Sequence, residues 1–207
     1  MTAAVVEHGH PDANHGGGHA HSSTGLSNNK LAMWLFLGSE CLLFGGLIST
    51  YMLYRGRHPK GPGPHQIFSI PYTSVSSFVL LLSSLTMVLA VSSAQHRDMR
   101  RAQNWLTVTA LLGATFVGGQ VFEFTEFYRK GLGFTTSLFG SSFYTLTGFH
   151  GVHVSVGIVM LMAVVGMLRA GRIPGDEAEV IELIGLYWHF VDIVWILIFT
   201  LVYLIPA

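Results

Sequence analysis

The chain has 207 residues, 50% of them hydrophobic and only 11% charged, with a mean hydropathy of +0.50. Soluble domains carry about 25% charged residues, and the apolar residues here gather in blocks of the roughly 20 residues a bilayer crossing needs. A soluble domain is thereby excluded. Lys and Arg balance Asp and Glu at 11 each, which leaves no electrostatic case for a nucleic-acid partner. The single cysteine, Cys41, cannot form an intrachain disulfide and is expected to pack within the first apolar block.

Residues 1–30 form a tail rich in His, Gly, Ala, Ser and Asn, including His8, His10, His15, His19 and His21. It lacks the basic and apolar regions of a signal peptide and cannot bury enough surface to fold alone, so it is expected to be mobile. Histidine-rich tracts can bind Zn, Cu or Ni, but a solvated tail with incidental metal affinity accounts for this one. Residues 31–207 are the membrane domain, an all-α bundle with five spans expected at about 31–54, 72–94, 105–127, 143–168 and 180–204.

The first span carries one charge, Glu40, roughly 14 Å from its start and inside the hydrocarbon. Intramembrane carboxyls are rare and expensive, which points to a proton-related role, with a hydrogen bond to a Ser or Tyr of its own bundle as the alternative. A Pro- and Gly-punctuated loop follows. The second span is uncharged and rich in serine, which reads as helix packing. After the short basic turn QHRDMRRAQN, the third span ends in GGQVFEFTEF. Gln120 and Glu123 share a helical face, as do Glu123 and Glu126. Glu123 falls roughly 27 Å from the helix start, near the far interface; it is expected to be buried and Glu126 solvated.

The fourth span contains GFHGVH, which places His150 and His153 on one face. Gly148, Gly151 and Gly157 recur at intervals that let a neighbouring helix approach closely. The fifth span holds Glu182, His189 and Asp192, with Trp188 and Trp195 beside them. The i, i+3 spacing of His189 and Asp192 suggests a carboxylate–imidazole pair, within the helix or across to a neighbour. Alternation of the helices puts Glu40, Glu182, His189 and Asp192 toward the N-terminal side. It puts Glu123, Glu126, His150 and His153 toward the other, giving two polar clusters rather than one metal centre. Six Lys and Arg fall on one side against five on the other, too even for loop charge to set the orientation.

Four runs carry a resemblance: SECLLF around Glu40, QVFEFTE at 120–126, GSSFYTLTGFHGVHVSVG at 140–157 and ELIGLYWHFVDIVWILIF at 182–199. In order and spacing they resemble subunit III of the haem–copper respiratory oxidases, the cytochrome c oxidase and quinol oxidase family, in its short bacterial form without the first two of seven helices. The resemblance implies a subunit of a proton-pumping terminal oxidase of the aerobic electron transport chain. It implies no haem, copper or catalytic centre in this chain, those belonging to partner subunits I and II. The chain is expected to pack on subunit I, to support proton uptake and turnover lifetime, and to bind phospholipid, within a larger respiratory supercomplex in some cases. Glu40 matches the family's buried carboxyl, and Gln120, Glu123, Glu126, His150, His153, Glu182, His189 and Asp192 match positions whose roles look structural or lipid-related. The family's orientation puts the N-terminus in the cytoplasm and the C-terminus outside the bacterial plasma membrane. Cytochrome c is the expected electron donor and quinol the alternative. Two rival readings are an independent proton or metal-ion transporter and a haem b protein ligated by His150, His153 or His189.

Overall fold

The computed structural model describes residues 27–55, 70–135, 137–172 and 177–205. The His-rich tail up to residue 26 and most of the loop after the first span lie outside them. Five helices, α1 (Asn28–Tyr54), α2 (Ile70–Gln95), α3 (Met99–Arg129), α4 (Leu138–Ala170) and α5 (Glu177–Phe199), account for nearly all of these residues, and no strand occurs among them. All five are long and apolar enough to cross a membrane. A π-helical turn, Thr200–Leu204, prolongs α5.

The helices are longer than the apolar runs alone suggest, because polar residues cap them in the headgroup zone. Ser27 accepts the Lys30 amide, so α1 begins at Asn28, before the apolar run at 31. Asp98 accepts the amide of Arg101, which makes most of the basic segment before Trp105 helical and leaves only 96–98 as the turn. Ser137 caps Gly140 and starts α4 five residues ahead of Phe143. At the other end of α4, Gly171 takes the left-handed conformation (φ 61°) that closes a helix, with its amide on Leu168 O.

Helices α2, α3, α4 and α5 form a ring in which each packs on the next and α5 returns to α2. Helix α1 lies outside it, chiefly against α4 and α5. Only Leu37, Phe44 and Tyr51 of α1 are buried, one residue every second turn, while Leu35, Leu42 and Leu53 are 63–80% exposed. Cys41, expected to pack, is an exposed free thiol on this flank. So much exposed apolar surface is what a helix facing lipid or another subunit presents.

The ring closes around two tryptophans of α5. The Trp188 indole fills space left by Gly113 of α3 and Gly157 of α4; a Cβ built at either glycine would fall 2.6 or 2.8 Å from it. Its Nε1 donates to Ser83 Oγ at 3.0 Å, and Trp195 Nε1 donates to Ser77 Oγ at 2.9 Å. Both hydroxyls are free to accept because each donates to its own helix, Ser83 to Leu80 O and Ser77 to Thr73 O. The serine-rich face of α2 is therefore the acceptor face for α5.

A mid-membrane carboxyl–imidazole pair and its polar neighbours

The polar residues do not divide into two leaflets as the sequence suggested. Glu40 Oε2 lies 3.1 Å from His153 Nε2, joining α1 to α4. Measured from the capped starts, Glu40 is roughly 18 Å along α1 and His153 roughly 22 Å along antiparallel α4. Both sit near mid-span. The division failed because it counted from the apolar runs and missed the capped turns before them.

The protonation pattern of this pair follows from its geometry. His153 Nδ1 lies 2.7 Å from Phe149 O, and a carbonyl can only accept, so Nδ1 carries a hydrogen. The contact between Nε2 and Glu40 then holds one proton, on the imidazole as an ion pair or on the carboxyl as a neutral hydrogen bond. The two side chains are 16% and 14% exposed, enclosed but not sealed. An apolar groove of about 210 Å³ runs along the His153 edge, lined by Met33, Phe36, Val152, Val156, Met160 and Tyr187. Tyr187 donates to His153 O at 3.0 Å and stacks on Phe36, bracing the same corner.

His150, three residues before His153, has a different setting. It is fully buried, neither ring nitrogen has a hydrogen-bond partner, and it stacks on Trp195 at 4.8 Å. Phe116 and Phe44 close it in edge-on at 6.0 and 6.5 Å.

His189 and Asp192 do not pair with each other as expected. His189 Nδ1 meets Ser84 Oγ of α2 at 2.7 Å instead. Asp192 is 3% exposed; Ser84 lies within hydrogen-bonding reach of its carboxyl, yet neither carboxyl oxygen completes a bond of good geometry. Nearer the N-terminal end, Glu182 accepts from Lys30 Nζ at 2.7 Å and from Gln95 Nε2 at 2.8 Å. Ser27 hydrogen-bonds Glu179 beside them. A groove of about 460 Å³ opens here between α1, α2 and α5, with Lys30, Gln95 and Glu182 among its polar lining and His189 at its inner end.

At the far end of the bundle, Glu123 is buried and accepts from Thr73 Oγ1 at 2.5 Å, with Tyr203 as a second partner. Glu126 is half-buried, 3.5 Å from Arg129 Nη1. Gln120 Nε2 donates to Thr147 O at 2.9 Å, and its amide occupies the space beside Gly151. Gly148, by contrast, faces nothing within 4 Å. Arg55 is buried and bonds Ile205 O just past the π-helical turn. Sequence reasoning missed Thr73, Tyr203 and Arg55 as members of this cluster. It also missed Lys30 as the partner of Glu182, although both lie about one turn inside their helices on the same side of the membrane.

Among the described residues, no three His, Cys, Asp or Glu side chains converge as a metal site.

Comparison with known proteins gives a consistent result. The family model described as "Cytochrome c oxidase subunit III" matches residues 10–206. The "Cytochrome c oxidase subunit 3" of Bacillus sp. (strain PS3) is 40% identical over 179 residues, 86% of each chain. The "Cytochrome bo(3) ubiquinol oxidase subunit 3" of Pseudomonas aeruginosa is 38% identical over the full length of both chains. The "Quinol oxidase subunit 3" of Bacillus subtilis is 37% identical over 93% of this chain and 96% of that relative. The match runs through all five spans, so this multi-pass membrane chain belongs to the cytochrome c oxidase subunit III family and is subunit III of a terminal oxidase.

Proposed function

We propose that the chain is an accessory subunit of a proton-pumping oxidase that takes electrons from cytochrome c. In this reading it holds no redox centre of its own. It packs on subunit I, the subunit that carries haem and copper, with subunit II completing the electron path and phospholipid filling the exposed flank. The N-terminus faces the cytoplasm of a bacterial plasma membrane. The exposed apolar face of α1 supports packing against another subunit or ordered lipid. The full-length match to a ubiquinol oxidase subunit favours quinol as the alternative donor.

The observation that carries the mechanistic part is the Glu40–His153 contact, one proton held between a carboxyl and an imidazole at mid-span. Such a pair can pass its proton between carboxyl and imidazole while its net charge stays zero, so neither group is left as an isolated charge in hydrocarbon. It supports proton uptake into the complex and its survival through repeated turnover. The test is Glu40→Gln in the assembled oxidase, with oxygen consumption, proton pumping and turnover lifetime measured together. Slower uptake or a shorter lifetime in an intact complex is expected; three unchanged values would leave Glu40 a packing group. A mild-detergent pull-down with a reduced-minus-oxidised spectrum identifies the partners and the donor. A copper-bearing subunit II signifies cytochrome c, and its absence beside a haem-bearing subunit I signifies quinol.

A further inference from the structure

Asp192 is a carboxyl buried to 3% exposure in the α2–α5 interface without a completed hydrogen bond. It sits between the two tryptophan–serine bonds that fix that interface, Trp188 to Ser83 and Trp195 to Ser77. An apolar Leu of similar volume would fill the site without the cost of an unsatisfied polar group. The neighbouring groups form a line from this carboxyl to the membrane surface. Ser84 is within reach of Asp192 and bonds His189 Nδ1 at 2.7 Å. His189 in turn lines the inner end of the groove of about 460 Å³ whose other polar lining includes Lys30, Gln95 and Glu182.

We propose that Asp192 is an internal proton-binding site, loaded from the groove between α1, α2 and α5 through His189 and Ser84. The groove has room for several waters, since one occupies about 30 Å³ of liquid, and its Lys30–Glu182–Gln95 rim is polar enough to hold them. A proton delivered from groove water binds His189 Nε2. The Nδ1 proton passes to Ser84 Oγ as the Ser84 hydroxyl proton passes to the Asp192 carboxylate. Each of the two relays gains one proton and loses one, and the carboxyl is left neutral. Return of the imidazole to its first tautomer resets the line. Imidazole suits this position because its two nitrogens can face two different partners.

The other charged and polar groups around the line leave Asp192 without a competing partner. Helix α1 contributes Lys30, engaged by Glu182 of α5. Helix α3 contributes Thr109, bonded to Thr86 of α2 at 2.8 Å. Helix α4 contributes His150, stacked on the far tryptophan. The proposal is independent of the Glu40 reading, because that pair lies on the α1–α4 contact and uses neither His189 nor Ser84.

The test is infrared difference spectroscopy of the assembled oxidase on transfer from H2O to D2O. Comparison of wild type with Asp192→Asn identifies the protonated-carboxyl stretch of Asp192. His189→Phe and Ser84→Ala each break one step of the line while leaving the carboxyl in place. The expected result is a band that exchanges readily in wild type, with exchange slowed about a hundredfold in both relay variants. If Asp192→Asn does not assemble, Ser84→Ala still reports, since loss of the neighbouring hydroxyl shifts the band as well as slowing it. Exchange at the wild-type rate in both relay variants would overturn the proposal. So would a wild-type spectrum with no carboxyl band that responds to Asp192→Asn or Ser84→Ala.

Discussion

Glu40 Oε2 and His153 Nε2, 113 residues apart in sequence, meet at 3.1 Å in the middle of the bundle. The contact matters to architecture as well as to protons. Helix α1 buries only Leu37, Phe44 and Tyr51, and Phe44 itself packs edge-on to His153 at 5.0 Å. The carboxyl–imidazole contact and that aromatic contact form the central attachment of α1 to the ring, with Lys30–Glu182 at one end and Arg55–Ile205 at the other.

Removing both partners should therefore cost less than the two single losses added together. His153→Leu leaves the Glu40 carboxyl facing an apolar wall, and Glu40→Leu strands the imidazole, each at about 2 kcal/mol. The double variant removes both polar groups and should cost clearly less than the sum of the singles. Thermal dissociation of the chain from the detergent-solubilised complex measures this; strictly additive values would show that the two groups are not coupled.

The glycines of α4 should differ sharply in tolerance. Gly157→Ala pushes a Cβ to 2.8 Å from the Trp188 ring, which is sealed on its other edge by Gly113. Overpacking of this kind costs about 1–3 kcal/mol. Gly148→Ala meets nothing within 4 Å and gains helix propensity, so it should be neutral or slightly stabilising. Melting temperatures of the two variant complexes check the order, and a Gly157→Ala complex as stable as wild type would contradict the seating of Trp188.

Glu123 and Glu126 look alike in sequence, one helical step apart and both acidic, yet their replacement should separate them. Glu123→Ala removes an acceptor buried with Thr73 and Tyr203 and leaves both hydroxyls to find new partners. A loss of about 2–3 kcal/mol is expected. Glu126→Ala breaks only a 3.5 Å surface contact with Arg129 and should stay within about 0.5 kcal/mol of wild type. Equal losses in a stability assay would mean that the far-end cluster is not held as described.

Much of this bundle was legible in advance, for physical reasons. Five spans follow from hydrocarbon thickness, and burial of Glu123 with only partial burial of Glu126 follows from their positions on one helix near an interface. Polar pairing across helices was harder to see. The Glu40–His153 contact was hidden because capped turns at Ser27 and Ser137 start both helices before their apolar runs, and such turns carry no hydrophobic signal. His189 prefers Ser84 to Asp192 because the i, i+3 spacing permits a contact but the α2 hydroxyl offers a better-directed one. Tyr203 joins Glu123 from a π-helical turn, where helical periodicity no longer predicts which way a side chain points.

The tryptophan–serine bonds supply the last test, because their two ends are not equivalent. In Ser77→Ala, Trp195 Nε1 stays buried against α2 with no acceptor, a loss of about 1–2 kcal/mol. Ser93→Ala removes a hydroxyl that bonds only its own helix at Leu89 O, so it should be close to neutral. Adding Trp195→Phe to Ser77→Ala removes the stranded donor, and the second change should then cost less than it does in wild type. A thermodynamic cycle over the four complexes reads that difference directly. If Trp195→Phe costs the same with and without Ser77, the bond contributes nothing to the α2–α5 interface and the stability there comes from ring packing alone.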